Sequence, residues 1–190
     1  MSNQTELDKS LDRIQQYMVN QGYRIIDPES HRLLAFCLRK RKLEDGNQGI
    51  LIIGRPGTGK TLWLKLFSRP GNSHVYTTEE LIEIYTDDSK DFRERMRPNG
   101  GSVCSKNHAD LAIDDMGQEP SLNDFGTKVE IMEQAINLRY RSFKILGSRT
   151  FITTNLELDQ IAARYGDRTA SRLQEMCDIV TINSKDQRTV

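Results

Sequence analysis

The sequence predicts an α/β fold, a five-stranded parallel sheet with helices on both faces, and three observations carry that prediction. Five short apolar runs alternate with amphipathic helical segments along 190 residues, which is the pattern of parallel strands joined by helical crossovers. One run, Ile50-Leu51-Ile52-Ile53, leads directly into Gly54-Arg55-Pro56-Gly57-Thr58-Gly59-Lys60-Thr61, a match to G-x-x-x-x-G-K-[ST] at every fixed position. Another, Leu111-Ala112-Ile113, ends in Asp114-Asp115, the pattern of a buried strand that delivers carboxylates to the edge of a sheet.

The elements follow in order. Leu7, Leu11, Ile14 and Met18 recur at helical spacing and Gly22 ends the run, which predicts an amphipathic N-terminal helix over residues 1–22. Its stripe has two readings, packing on its own domain or docking on a partner. Tyr23 to Ile26 reads as extended, Asp27-Pro28 as a break, and Leu33, Leu34 and Phe36 as a helix running into Arg39-Lys40-Arg41-Lys42. After Leu62-Trp63-Leu64-Lys65-Leu66, Ser73 to Tyr76 reads as a short strand. Thr77 and Glu80 have the spacing of a capping box that opens a helix through Leu81, Ile82, Ile84 and Tyr85. Asn99-Gly100-Gly101 marks a loop, and Thr127 with Glu130 predicts a second capping box before a helix carrying Val129, Met132 and Ile136. Phe151 to Asn155 reads as a strand ending in polar residues, and Ile179 to Ile182 as the last one. The core is thus expected over 23–183, with a polar tail at 184–190.

The glycine-rich stretch has the composition of a phosphate-binding loop. Glycines let successive backbone N–H groups, Gly57 through Thr61, turn toward β- and γ-phosphates, while Pro56 has no N–H and shapes the entry. Lys60 reaches the same phosphates as a point charge, the Thr61 hydroxyl suits Mg²⁺, and the helix that follows presents its positive end. The nucleotide-binding set is therefore Gly54, Gly57, Thr58, Gly59, Lys60, Thr61 and Leu62, with ATP and Mg²⁺ as the expected ligands. Asp114 is placed to hold Mg²⁺ with Thr61, and Asp115 to orient or deprotonate an attacking water.

Composition bounds the rest. The formal net charge is zero, so any contact with nucleic acid or an anionic surface has to be local. No run is long enough to span a membrane and the N-terminus is polar, which leads to the expectation of a cytosolic protein without membrane attachment. Cys37, Cys104 and Cys177 are odd in number and widely spaced, giving neither a disulfide framework nor a zinc site. His31, His74 and His108 are scattered and read as structural.

Five blocks, in order, carry a family resemblance. They are Gly54 to Thr61, Asp110 to Pro120, Asn137-Leu138-Arg139-Tyr140, Phe151 to Leu156, and Tyr165-Gly166-Asp167-Arg168-Thr169-Ala170-Ser171-Arg172-Leu173. Over about residues 48 to 182 the chain resembles the AAA+ ATPase core of helicase loaders of the DnaC and DnaI type and of the transposition helper IstB. The resemblance implies sheet order 5-1-4-3-2 and a helical lid that is absent or minimal. It puts Asn155 at the sensor-1 position, although a strand-end asparagine that caps a turn is the plain reading of the residue alone. It also aligns Arg168 with the arginine finger that reaches a neighbouring subunit's nucleotide, and leaves Arg172 to support the helix or the interface. Asp115 stands where many AAA+ proteins have Glu.

The function this implies is ATP hydrolysis by a self-associating replication accessory whose partner is a replicative helicase, or in the IstB-like alternative a transposase. Two readings from other classes stay open: a small P-loop nucleotide kinase, and a nucleotide-gated binding module with little hydrolysis. Arg139, Arg141, Lys144 and Arg149 form one basic cluster and Arg39 to Lys42 another. Each suits single- or double-stranded DNA phosphates or simply solvates a helix end.

Overall fold

A computed structural model describes residues 2–42, 48–68, 74–97, 110–124 and 127–188. Its centre is a parallel sheet of β1 (Gly49–Gly54), β2 (Val75–Thr77), β3 (Leu111–Met116), β6 (Thr150–Thr154) and β7 (Cys177–Ile182), in the order β2-β3-β6-β1-β7. This is the expected 5-1-4-3-2 order read from the other edge. β1 lies between β6 and β7, with Ile50 to Ile53 paired to Phe151 to Thr154 on one side and Gly49 to Gly54 paired to Cys177 to Ile182 on the other. The phosphate loop therefore leaves the middle of the sheet, beside the ends of β3 and β6.

Alternate strand residues face opposite layers, and each layer has its own core. Leu51, Ile53, Ile113 and Ile152 pack with Phe92, Met132, Ile136, Ile161 and Leu173. These come from α5 (Ser89–Met96), α6 (Ile131–Leu146), α7 (Leu158–Tyr165) and α8 (Asp167–Met176). Ile50, Ile52, Phe151 and Val180 pack on the other face with Met18, Leu34, Trp63 and Phe67. Those belong to α1 (Ser2–Asn20), α2 (Pro28–Lys42) and α3 (Lys60–Ser68). The stripe of α1 thus packs on its own domain, with Met18 fully buried and Leu11 and Ile14 against the same cluster.

His31 is structural, as expected: it is buried, and its Nδ1 accepts the Trp63 indole N–H at 3.0 Å. Burial lowers its pKa, so the ring sits neutral beneath α3.

The capping box that opens α4 (Thr78–Asp87) is present, with Thr77 Oγ1 accepting Glu80 N–H at 3.1 Å and Glu80 Oε2 accepting Thr77 N–H at 2.8 Å. The second predicted box is not. Thr127–Val129 forms β5, which pairs antiparallel with β4 (Leu122–Asp124), and α6 starts at Ile131 behind Glu130, which makes no side-chain cap. The T-x-x-E spacing occurs there in a hairpin strand, because tertiary pairing overrides the local signal. The predicted loop at Asn99 to Gly101, together with Cys104 and His108, lies outside the described residues.

Candidate functional site

A cleft of about 490 Å³ opens where β1, β3 and β6 end. Among the residues that line it are Gly57, Gly59, Lys60, Thr61, Asp114, Asp115 and Asn155. Gly57 and Gly59 have φ of 79° and 83°, a left-handed backbone that a side chain resists, and this lets the loop curl at the start of α3. Thr58 is buried and its hydroxyl donates to Arg55 O at 2.9 Å, which props the loop from inside. The Leu62 N–H bonds Gly59 O at 3.1 Å and so joins the helix ladder, with its side chain turned into the core.

Lys60 crosses the cleft. Its Nζ donates to Asn155 Oδ1 at 2.7 Å and to Arg55 O at 3.1 Å, which joins α3 to the residue just past β6. Burial lowers the Lys60 pKa, opposed by the charges of Asp115 and Asp114.

Consecutive residues of a strand point to opposite faces, yet Asp114 and Asp115 both line the cleft. Two features reconcile this: the β3–β6 register shifts between Ile113 and Met116, and Asp115 has φ 57°. A bulge with one left-handed residue turns the second carboxylate to the same side as the first. Thr153 fixes the arrangement, since its hydroxyl donates to Asp114 Oδ1 at 2.5 Å and accepts the Asp115 N–H at 2.8 Å. The same Asp114 oxygen accepts the Thr61 hydroxyl at 3.2 Å. Burial raises the Asp115 pKa, with Asp114 adding to the effect and Lys60 opposing it.

Asp114 and Thr61 thus offer two adjacent oxygen donors at the foot of the loop, the donor type that Mg²⁺ takes while it completes its shell with water and phosphate oxygens. Asp115 stands next to them as a carboxylate with raised basicity. A strand end, a helix N-terminus, a lysine and this acidic pair can together hold a polyphosphate and polarise a water.

Arg168 lies elsewhere. It is exposed at the start of α8, is not among the residues lining the cleft, and makes no hydrogen bond or ion pair among the described residues. A cation in the first turn of a helix opposes the macrodipole, so helix stability gives no reason for it. Arg172, one turn on, bonds Asn137 Oδ1 and stacks 5.0 Å from the centre of the Tyr140 ring. It ties α8 to α6.

The basic cluster is only partly at the surface. Arg139 is buried, donating to Thr150 Oγ1 at 3.0 Å and to the carbonyls of Arg149 (2.9 Å) and Met96 (3.4 Å), and burial pushes its pKa down to about 10. Arg149 pairs with buried Asp110 at 2.9 Å, and Lys144 pairs with Glu175 at 2.5 Å. Sequence showed four cations close together; the fold turns one inward and pairs two more, leaving Arg141 exposed. In the other patch, the side chains of Arg41 and Lys42 lie outside the described residues.

Sequence reasoning missed Thr153, Tyr23 and Arg188. The last two also line the cleft. A signal for Thr153 existed: once β3 and β6 are neighbours and Ile113 pairs with Ile152, the next residues are Asp114 and Thr153. No comparable local signal joins Tyr23 to Arg188.

No protein-family model matches the chain, and no curated protein matches it in sequence. Solved structures do. AMPPCP-bound DnaA from Aquifex aeolicus aligns with TM-score 0.60 and 18% identity over 86% of this chain and 50% of that one, so the chain spans half the length of that DnaA. The DnaC helicase loader aligns with TM-score 0.57 and 20% identity over 85% of this chain and 93% of its own. DnaI aligns with TM-score 0.62 and 17% identity over 84% and 88%. The chain therefore has the AAA+ P-loop fold that these proteins share. No helix among the described residues is long and apolar enough to cross a membrane.

Proposed function

We propose that this chain is a Mg²⁺-ATP-hydrolysing AAA+ protein of the cytoplasm that self-associates and acts as a DNA-replication accessory, a helicase loader of the DnaC kind. The observation that carries the ATPase part is the convergence of Lys60, Thr61, Asp114, Asp115 and Asn155 on one cleft from α3, β3 and the end of β6. The loader part draws its support from the alignment with the DnaC helicase loader over 93% of that protein.

In this reading the loop N–H groups and Lys60 hold the β- and γ-phosphates, and Thr61 with Asp114 holds Mg²⁺, which neutralises charge on those phosphates when bound. Asn155 exchanges its bond with Lys60 for one to the attacking water or the γ-phosphate. Asp115 takes the proton from that water as its oxygen attacks phosphorus and ADP leaves. Arg168, exposed on α8, supplies positive charge to the site of a neighbouring subunit. The replicative helicase is the partner, and DNA, single- or double-stranded, meets the assembly.

The test separates binding from chemistry. Asp115→Asn keeps Lys60, Thr61 and Asp114, so it should bind Mg²⁺-ATP like the wild type while phosphate release falls about 100-fold or more, the lower end of what one positioned proton acceptor contributes. Unchanged phosphate release would remove Asp115 as the base. Wild-type protein that releases no phosphate, alone or with the replicative helicase of its own cell, would leave a nucleotide-gated binding module.

A further inference from the structure

The cleft has a second end that the phosphate loop does not account for. Residues 183–188 run back from β7 across the loop as a strap. Gln187, 1% exposed, is its anchor: its N–H donates to Gly57 O at 2.9 Å and its carbonyl accepts the Arg24 N–H at 2.7 Å. Its side-chain amide donates to Ser184 Oγ at 2.5 Å. Tyr23 and Arg188 then pair as an isolated antiparallel bridge, which sets two residues 165 positions apart side by side at the cleft.

The chemistry of this end is unlike that of the Lys60 end. Asp186 lies against Gly57, so close that a Cβ there would stand 2.1 Å from its Oδ1, and the same carboxylate grips the Arg188 guanidinium through Nε (3.0 Å) and Nη2 (2.7 Å). A guanidinium already neutralised by a carboxylate, with that carboxylate beside the loop, is a poor phosphate ligand. It remains a flat, weakly hydrated plate. The Tyr23 ring is the second plate, 3.6 Å from where a Cβ on Gly59 would stand. Two planar groups at the edge of a phosphate site, Arg188 on the strap and Tyr23 on the segment it pairs with, match a purine base and its ribose, since stacking on a π face needs no further charge.

We propose that Tyr23 and Arg188 form the nucleoside wall of this cleft, and that the strap anchored by Gln187 holds them against the bound nucleotide. The inference rests on the nucleotide-binding reading above and adds which end of the ligand meets the strap. It assigns to the segment 183–188 a grip on base and ribose that is common to ATP and ADP, and leaves the phosphates to Lys60 and Thr61.

Equilibrium titration of the full chain with ATP, ADP and inorganic tripolyphosphate tests it. Arg188 is half exposed, so Arg188→Gln leaves the core intact, and Tyr23→Leu keeps apolar packing while removing the ring. Each variant should lose about tenfold in affinity for both ATP and ADP, the size of one stacking or charge-assisted contact, and bind tripolyphosphate as the wild type does. Wild-type affinity for ATP in both variants would overturn the proposal. So would a matching loss for tripolyphosphate, which would make Arg188 a phosphate ligand, or a gain in affinity, which would make the strap an obstruction. If the wild type binds ATP and Lys60→Ala does not, any such failure belongs to the strap alone. If the wild type binds neither ATP nor tripolyphosphate, the nucleotide reading falls and the nucleoside wall falls with it.

Discussion

The cleft at the ends of β1, β3 and β6 and the outer face of α8 are opposites. At the cleft, six residues from α3, β3 and the end of β6 already bond one another, Lys60 to Asn155, Thr61 to Asp114, and Thr153 to the Asp114 carboxylate and the Asp115 N–H. On α8, Arg168 is exposed at the end of the helix where a cation is least favourable, with no partner among the described residues. Arg172, on the same helix, is tied down by Asn137 and Tyr140. The contrast teaches that a site finished within one chain is recognised by its mutual bonds, whereas Arg168 is singled out by the lack of a local reason for its position.

The comparison is broken most directly through Arg168. Arg168→Ala should bind ATP yet hydrolyse it on the order of 10³-fold more slowly or worse, since fingers supplied in trans are worth about 10³ to 10⁵ in the GTPase cases. Mixing it with Lys60→Ala, itself inactive, should restore part of the activity, because the intact loop of the first can meet the intact arginine of the second. No recovery in mixtures shown by light scattering to co-assemble would place Arg168 in its own subunit or make it structural.

Thr153 sharpens the cleft side. Thr153→Val preserves shape but leaves the Asp115 N–H without its acceptor and Asp114 with only the Thr61 hydroxyl as donor. The expected outcome is a loss of about 10- to 100-fold in Mg²⁺-dependent turnover, as for other groups that orient a metal ligand. The melting temperature serves as the control for folding. Turnover equal to the wild type would mean that the bulge alone holds the two carboxylates.

Arg172 is the smallest effect and the contrast to Arg168. Arg172→Ala loses one hydrogen bond and one stacked contact between α8 and α6, worth about 1–2 kcal/mol of stability. In the mixing experiment it should act as wild type. Chemical denaturation gives the first value, and complementation of Lys60→Ala gives the second.

How far the sequence could be read follows the same division. The strands, the loop and the acidic strand end were legible because each is a contiguous block with its own periodicity or spacing, whereas the sheet order and the placing of Asn155 beside the loop came only from the resemblance to AAA+ cores. The common orientation of Asp114 and Asp115 was not, since it depends on a bulge between β3 and β6 that no local pattern signals. The supposed cap at Thr127 fails, and Arg139 drops out of the surface cluster, for a related reason. Both readings came from spacing alone, and the fold spends those residues on a hairpin and on a buried hydrogen-bond network. The strap was the least legible part, because Tyr23 and Arg188 lie 165 positions apart and meet only once the whole sheet between them is assembled.

Every role given to the cleft depends on Lys60 and its loop holding the phosphates of Mg²⁺-ATP. Calorimetric titration of the wild type and of Lys60→Ala with a slowly hydrolysed ATP analogue in Mg²⁺ measures that hold without needing turnover, a partner or an assembly. Saturable binding by the wild type and none detectable in a folded Lys60→Ala is the predicted result; equal affinity in the two proteins would contradict it and remove the cleft from the function.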